Sequence, residues 1–254
     1  MKLPPVGLGT MGIEDPAVVT AALKLGYRHL DTAQIYENES VVGEGLAEAD
    51  VSRAAVTVAT KLWVDQLDGE RVPQATRDSA ARLGIDTIDL LYVHRPRGAY
   101  DPATTLPALD ELRAAGVIEQ IGVSNFEIEA LDRAIDTLAA PLVAHQTELH
   151  PLWYRPELLA HAREHGYTVV AYSPLAGGRV RSIDAVSAVA ASHDTTPEAV
   201  AIAWANTKDP VVTIPKASSE RHLRANLDAA ALELTADEVA AIDAIDREQE
   251  LFPD

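Results

Sequence analysis

Residues 55–94 read AVTVATKLWVDQLDGERVPQATRDSAARLGIDTIDLLYVH. Ala55 to Lys61 is rich in β-branched residues and alternates, which predicts a strand. Glu70 to Leu83 carries helical periodicity and stops at Gly84, a natural left-handed terminator. Ile88 to His94 is a second apolar run of strand length. Two strands joined by a helix of this size lie parallel in one sheet. Each strand ends on an ionisable group, Lys61 and His94.

The same unit repeats in both directions. Further strands are predicted at 6–9, 28–31, 118–123, 142–148, 167–172 and 211–215. Helices are predicted at 16–25, 39–47, 106–115, 128–138, 156–165, 185–192, 197–206, 220–230 and 236–246. The first helix has Asp15 as its cap and Pro16 at its first position, and Gly26 stops it. Eight strand–helix units with no break in composition predict an α/β chain folded as one (β/α)8 (TIM) barrel domain over 1–254. The competitor is an open doubly wound sheet with a glycine-rich phosphate turn. Gly7-Leu8-Gly9-Thr10-Met11-Gly12 fits that turn only loosely, because Asp15-Pro16 delays the helix that should open at its last glycine.

Composition narrows the functional classes. With 254 residues and 47% apolar content the chain can bury a full core. There is no cysteine, so disulfides, thiolate nucleophiles and cysteine zinc sites are excluded. The formal net charge of -18 repels phosphate backbones and anionic membranes, so neither nucleic acid nor membrane is an expected partner. No secretory leader or spanning run is read, and a cytoplasmic location is expected. Only five lysines are present: Lys2, Lys24, Lys61, Lys208 and Lys216. An acid-rich, lysine-poor surface suits a high-salt, halophilic setting, where self-repulsion is screened.

In a barrel, chemistry gathers at the carboxyl ends of the strands. Strand two ends at Asp31, with Tyr36 in the following loop. Strand three ends at Lys61, strand four at His94, strand five at Ser124-Asn125, strand seven at Tyr172-Ser173 and strand eight at Lys216. Strand six carries Gln146, Glu148 and His150. Each residue alone has an ordinary structural explanation; together Asp31, Tyr36, Lys61 and His94 suit proton donation to a carbonyl. A free phenol has a pKa near 10. A neighbouring ammonium favours the phenolate, so Lys61 would ease proton release from Tyr36, and Asp31 would hold Lys61 charged. His94 would hydrogen-bond the substrate oxygen or relay a proton. No metal site is expected: His94, His145, His150, Glu148 and Asp31 are the ligands weighed, and no metal-binding helix motif is read. A serine hydrolase lacks its G-x-S-x-G elbow.

The motifs GYRHLDTAQIYENE (26–39), Thr60-Lys61-Leu62-Trp63, Asp89 to His94, and Gly122-Val123-Ser124-Asn125-Phe126 are followed by QTELHP (146–151), Ala171-Tyr172-Ser173-Pro174-Leu175 and Ile214-Pro215-Lys216. In this order the chain resembles the aldo-keto reductases. The resemblance implies an NADP(H)-dependent reductase of small aldehydes and ketones, including 2-ketoaldehydes and sugar- or keto-acid-derived carbonyls, with Tyr36 as general acid. It implies a catalytic tetrad of Asp31, Tyr36, Lys61 and His94. For the cofactor it implies Gly9, Thr10, Asp31, Ser124, Asn125, Gln146, Tyr172, Ser173, Leu175, Gly177, Lys216, Ser218, Ser219, Arg221, His222 and Asn226. Tyr172 would stack on the nicotinamide and Lys216 would meet a 2′-phosphate. His222 and Ala225 depart from the residues common at their positions, which leaves NAD(H) open as an alternative. Met11, Trp63 and Arg95 are the expected substrate wall. Arg95 stands where an aromatic is common, and would favour anionic or polyhydroxylated substrates if it faces the pocket. The N-terminus has little room for a hairpin under the barrel. The stretch after the last helix is short, which predicts an open pocket, and a monomer is expected. The competing readings are a non-catalytic NADP(H)-binding protein on the same fold, and an unrelated hydrolase or lyase barrel.

Overall fold

The computed structural model describes residues 2–253. Eight strands alternate with helices: β1 (Leu8–Gly9), β2 (His29–Asp31), β3 (Thr57–Leu62), β4 (Ile88–Val93), β5 (Ile118–Ser124), β6 (Leu142–Glu148), β7 (Thr168–Tyr172) and β8 (Val211–Thr213). The helices are α1 (Pro16–Leu25), α2 (Glu39–Glu48), α3 (Val72–Leu83), α4 (Pro102–Ala114), α5 (Ile128–Thr137), α6 (Pro156–His165), α7 (Asp184–Ser192), α8 (Pro197–Asn206), α9 (Glu220–Asp228) and α10 (Ala236–Asp243). Adjacent strands pair in sequence order and in parallel from β1 to β8.

The sheet closes on itself. Val6 bridges Thr213 in parallel. Gly7 N–H donates to the Thr213 carbonyl at 2.8 Å, and Thr213 N–H donates to the Pro5 carbonyl at 2.9 Å. Gly9 is required for this closure, since a Cβ there would sit 2.5 Å from the Ile214 carbonyl oxygen. Closure removes the sheet edges and rules out the open alternative.

Two apolar layers follow from strand alternation. Ala59, Leu90, Tyr92, Ala144, Val170, Val212 and Ile214 fill the barrel interior, and Leu3 joins them. Among the described residues no hairpin precedes β1, and Leu3 contributes to the interior packing instead. The larger cluster lies between sheet and helices, with Val58, Leu62, Leu91, Val93 and Val169 on the outward phase of the strands. The chemistry-bearing residues share the inward phase: Ala59 leads to Lys61, Leu90 and Tyr92 to His94, Ala144 to Gln146 and Glu148, and Val170 to Tyr172 (each two residues on). Parity alone therefore aims these side chains at the barrel axis.

The helix boundaries follow their caps. Asp15 accepts from Ala17 N–H at 2.9 Å, and Asp101 accepts from Ala103 N–H at 3.0 Å. The Asp101 cap starts α4 at Pro102, four residues before the predicted Leu106, and the helix runs through Pro107. Pro102 sits at the first position, where a missing N–H costs little, whereas Pro107 lies in the second turn and removes one intrahelical hydrogen bond. α3 opens at Val72, two residues later than predicted.

Candidate active site

The loop after β2 carries Tyr36 in a single 3-10 turn, Gln34–Tyr36, closed by Glu37 at φ 55°. Two side chains anchor it. Gln34 accepts from Trp63 N–H at 2.9 Å through Oε1, and its Nε2 donates to Ser79 Oγ at 3.1 Å on α3. Asn38 accepts from the Thr32 hydroxyl at 2.9 Å and donates to the Thr10 and Ile13 carbonyls at 2.7 and 3.0 Å. The turn is thereby tied to β3, α3 and the loop after β1. Gln34 and Asn38 were not predicted as site residues. Their signal was a pair of amides flanking the tyrosine, unreadable without the partners.

Lys61 and Asp31 form a fully buried ion pair, Nζ to Oδ1 at 2.5 Å, with side-chain exposures of 0% and 2%. Lys61 also donates to the Thr32 carbonyl at 2.7 Å, and Gln146 Nε2 donates to Asp31 Oδ2 at 2.7 Å. The Lys61 ammonium lies 5.0 Å from the centroid of the Tyr36 ring. Burial opposes the ammonium, but Asp31 and then Tyr36, through charge and hydrogen bonding, outweigh it and raise the proton affinity of Lys61. Lys61 is therefore a fixed cation beside the phenol.

His94 completes the cluster. Its ring meets Tyr36 edge-on at 6.1 Å and Trp63 edge-on at 4.9 Å between centroids. Burial, followed by the charges of Lys61, Arg95 and Arg97, lowers its pKa to about 2. The imidazole is neutral at working pH. Nδ1 is buried and makes no hydrogen bond, so Nε2 is the nitrogen able to meet a ligand.

A cavity of about 220 Å³ opens over these groups. Met11, Trp63 and Arg95 line it, and so do Gly9, Thr10, Ser124, Asn125, Gln146, Tyr172, Ser173 and Lys216. Arg95 thus borders the pocket; it also lies 3.5 Å from the Phe252 carbonyl, to which it donates. The exposed large apolar side chains among the described residues are Met11, Ile35 and Phe252, and all three stand at this mouth. Tyr172 donates to Asn125 Oδ1 at 2.9 Å, and Asn125 Nδ2 donates to the His94 carbonyl at 3.0 Å. Burial raises the Tyr172 pKa, so this phenol keeps its proton and its donor role.

A second cavity, of about 510 Å³, shares Lys216 with the first and is lined by Leu175, Arg221, His222 and Asn226. Gly177, Ser218 and Ser219 line neither cavity. Ser219 caps α9, accepting from His222 N–H at 3.4 Å, and Gly177 lies in a loop of left-handed residues beside Gly178.

The expectation of an open mouth is corrected by the residues after α10. Glu148, on the inward phase of β6, accepts from Leu251 N–H at 2.7 Å and Phe252 N–H at 3.1 Å. It also accepts from His150 Nε2 at 2.8 Å, while His150 Nδ1 accepts from Leu152 N–H at 3.2 Å, which places the proton of a neutral His150 on Nε2. This clamp lays Phe252 edge-on against Tyr172, 5.9 Å between centroids. A short segment narrows the mouth because a buried carboxylate holds it there. Glu148 was weighed only as a metal ligand, and the two backbone donors that reveal its role lie about a hundred residues away.

Comparison with known proteins agrees with this arrangement. Residues 5–247 match the aldo/keto reductase family. An aldo-keto reductase of Mycolicibacterium vanbaalenii is 40% identical, over 99% of this chain and 91% of its own length. The methylglyoxal reductase DkgB of Escherichia coli O157:H7 is 35% identical, over 97% and 94%. The crystal structure of MGS-M4, an aldo-keto reductase enzyme from a Medee basin deep-sea metagenome library, superposes with a TM-score of 0.95 at 29% identity, covering 100% of this chain and 95% of that one. The chain belongs to the aldo/keto reductase family and is an oxidoreductase acting on carbonyl groups.

Proposed function

We propose that the protein reduces small aldehydes and ketones, 2-ketoaldehydes among them, using NADP(H), with Tyr36 as the general acid. The observation that carries this reading is the buried Lys61–Asp31 pair set under Tyr36 and beside a neutral His94 at one cavity mouth. The methylglyoxal reductase relative supports the 2-ketoaldehyde class. The apolar rim of Met11, Ile35 and Phe252 suits the carbon substituents of such substrates.

The residues present fit a phosphorylated dinucleotide. In a protein of net charge -18, Lys216, Arg221 and His222 border one cavity, which is a donor set for phosphate. Tyr172, Ser124, Asn125 and Gln146 would hold the ring and carboxamide end, and Ser173, Leu175 and Asn226 the intervening and adenosine parts. When bound, the cofactor supplies the hydride. The substrate carbonyl oxygen sits between Tyr36 and His94 Nε2. Tyr36 delivers its proton to that oxygen. The Lys61 ammonium stabilises the phenolate as it forms, and Asp31 keeps that ammonium in place. His94, being neutral, orients the oxygen by a hydrogen bond and is not the acid.

Replacing Tyr36 with Phe tests the assignment. Turnover of methylglyoxal with NADPH should fall by about 10² to 10⁴, while NADPH fluorescence quenching on binding is retained. Near-wild-type turnover would refute the role of Tyr36.

A further inference from the structure

On the far side of the barrel from the tetrad, α5 and α6 bring together three groups that the carbonyl chemistry does not use. His161 and His165 are one helical turn apart on α6, an H-x-x-x-H that the reading of strand-end ligands passed over. The expectation of no metal motif is corrected by this pair. Their rings overlap with centroids 4.2 Å apart and an interplanar angle of 29°. Asp132, from α5, lies 2.9 Å from His161 Nε2. One ligand atom from each of the three residues lies within 4.8 Å of the others.

We propose that Asp132, His161 and His165 bind one divalent transition-metal ion of the zinc class. Two imidazoles and a carboxylate, with no thiolate anywhere in the chain, make a borderline nitrogen–oxygen set that suits Zn²⁺. Metal bonds of about 2.0–2.2 Å put tetrahedral donors about 3.4 Å apart, so the 2.9 Å His161–Asp132 pair must open and the wider pairs must close. Asp132 and His165 are both exposed and can turn toward the ion, whereas His161 is buried and already aimed.

A fourth residue prepares the site. The Tyr167 hydroxyl is 2.8 Å from His161 Nδ1. A hydroxyl both donates and accepts, so the single proton of neutral His161 moves to Nδ1 and is donated to the Tyr167 oxygen. Nε2 is then bare toward the ion, which takes the place of the proton now shared with Asp132. An outer-shell partner of this kind fixes the tautomer of a ligating histidine. His165 is also the last residue of α6, where the carbonyl end of the helix favours a cation. The C-terminal ends of barrel helices lie at the face opposite the catalytic mouth, so the ion is a brace between α5 and α6 rather than a reactant.

The test uses the full chain without a histidine tag, stripped with a chelator and titrated with Zn²⁺ by calorimetry. One saturating equivalent is expected, with a raised thermal midpoint. His165→Ala and Asp132→Asn, both at exposed positions, should each weaken binding at least tenfold. Tyr167→Phe, which removes only the hydroxyl, should weaken it by about 10- to 100-fold. Carbonyl turnover without metal should be unchanged in His165→Ala. Absence of saturable binding, or the same affinity in the Asp132→Asn/His165→Ala double variant, would overturn the proposal. Neither result bears on the reductase reading, which the Tyr36 variant tests separately.

Discussion

Lys61→Met separates what the buried ion pair does for stability from what it does for chemistry. In the native chain the ammonium and the Asp31 carboxylate are 2.5 Å apart and closed to solvent. Methionine fills most of the lysine stem but leaves the Asp31 charge with Gln146 Nε2, at 2.7 Å, as its side-chain donor. Breaking one side of a buried pair costs about 3–5 kcal/mol. The Thr32 carbonyl also loses its Lys61 donor, which adds about 1–3 kcal/mol if it stays unsatisfied. Against a total of about 5–15 kcal/mol for a domain, the single variant should be close to unfolding. Adding Asp31→Asn removes the stranded charge and should recover most of the pair's share. Urea titration followed by tryptophan fluorescence measures this, provided that the slope stays constant. Turnover should stay low in the double variant, because Tyr36 still lacks its cation. The reasoning fails if Lys61→Met alone is as stable as wild type, or if the double variant is as unstable as the single one.

Acid lability is expected from three buried histidines. Burial, ahead of charge effects, lowers the pKa of His29 to about 4, His94 to about 2 and His145 to about 3. As pH falls below about 6.5, the unfolded chain takes up protons that the native state refuses, so stability is lost downward from there. Each group contributes about 1.4 kcal/mol per pH unit, or about 4 kcal/mol per unit for the three between pH 6.5 and 4; a flat urea midpoint over that window would contradict this. Glu148→Gln places an N–H₂ against the N–H donors of the Leu251–Phe252 segment. Hydrogen exchange at these two amides should speed up and KM should rise, with kcat less affected; unchanged protection of both amides would remove Glu148 as the anchor.

Much of this protein was legible in residues close together in the chain. Strand alternation, proline and aspartate caps and glycine stops are local signals, and they placed all eight strands and the order of the helices. Alternation also set which side chains face the barrel axis, so Lys61, His94, Gln146 and Tyr172 could be assigned to one mouth before any contact was known. The predicted start of α4 falls four residues late because it leaves out the Asp101 cap, with Pro102 at the first helical position, as a helix start.

What only the tertiary structure decided are contacts between residues far apart, where each partner alone has an ordinary reading. The closure of β1 on β8 depends on Gly9 lying against the Ile214 carbonyl, and no periodicity encodes that approach. The neutrality of His94 arises from burial and three cations drawn from other positions. Glu148 narrows the mouth because β6 and the segment after α10 meet there, and Asp132 joins His161 only because α5 packs beside α6. The sequence by itself predicted the barrel, from short-range periodicity, and the groups at its mouth, from their place at strand ends and in motifs that resemble those of the aldo-keto reductases. Their charge states and the shape of the opening were left to packing, because desolvation and distant hydrogen bonds exist only once the chain has closed.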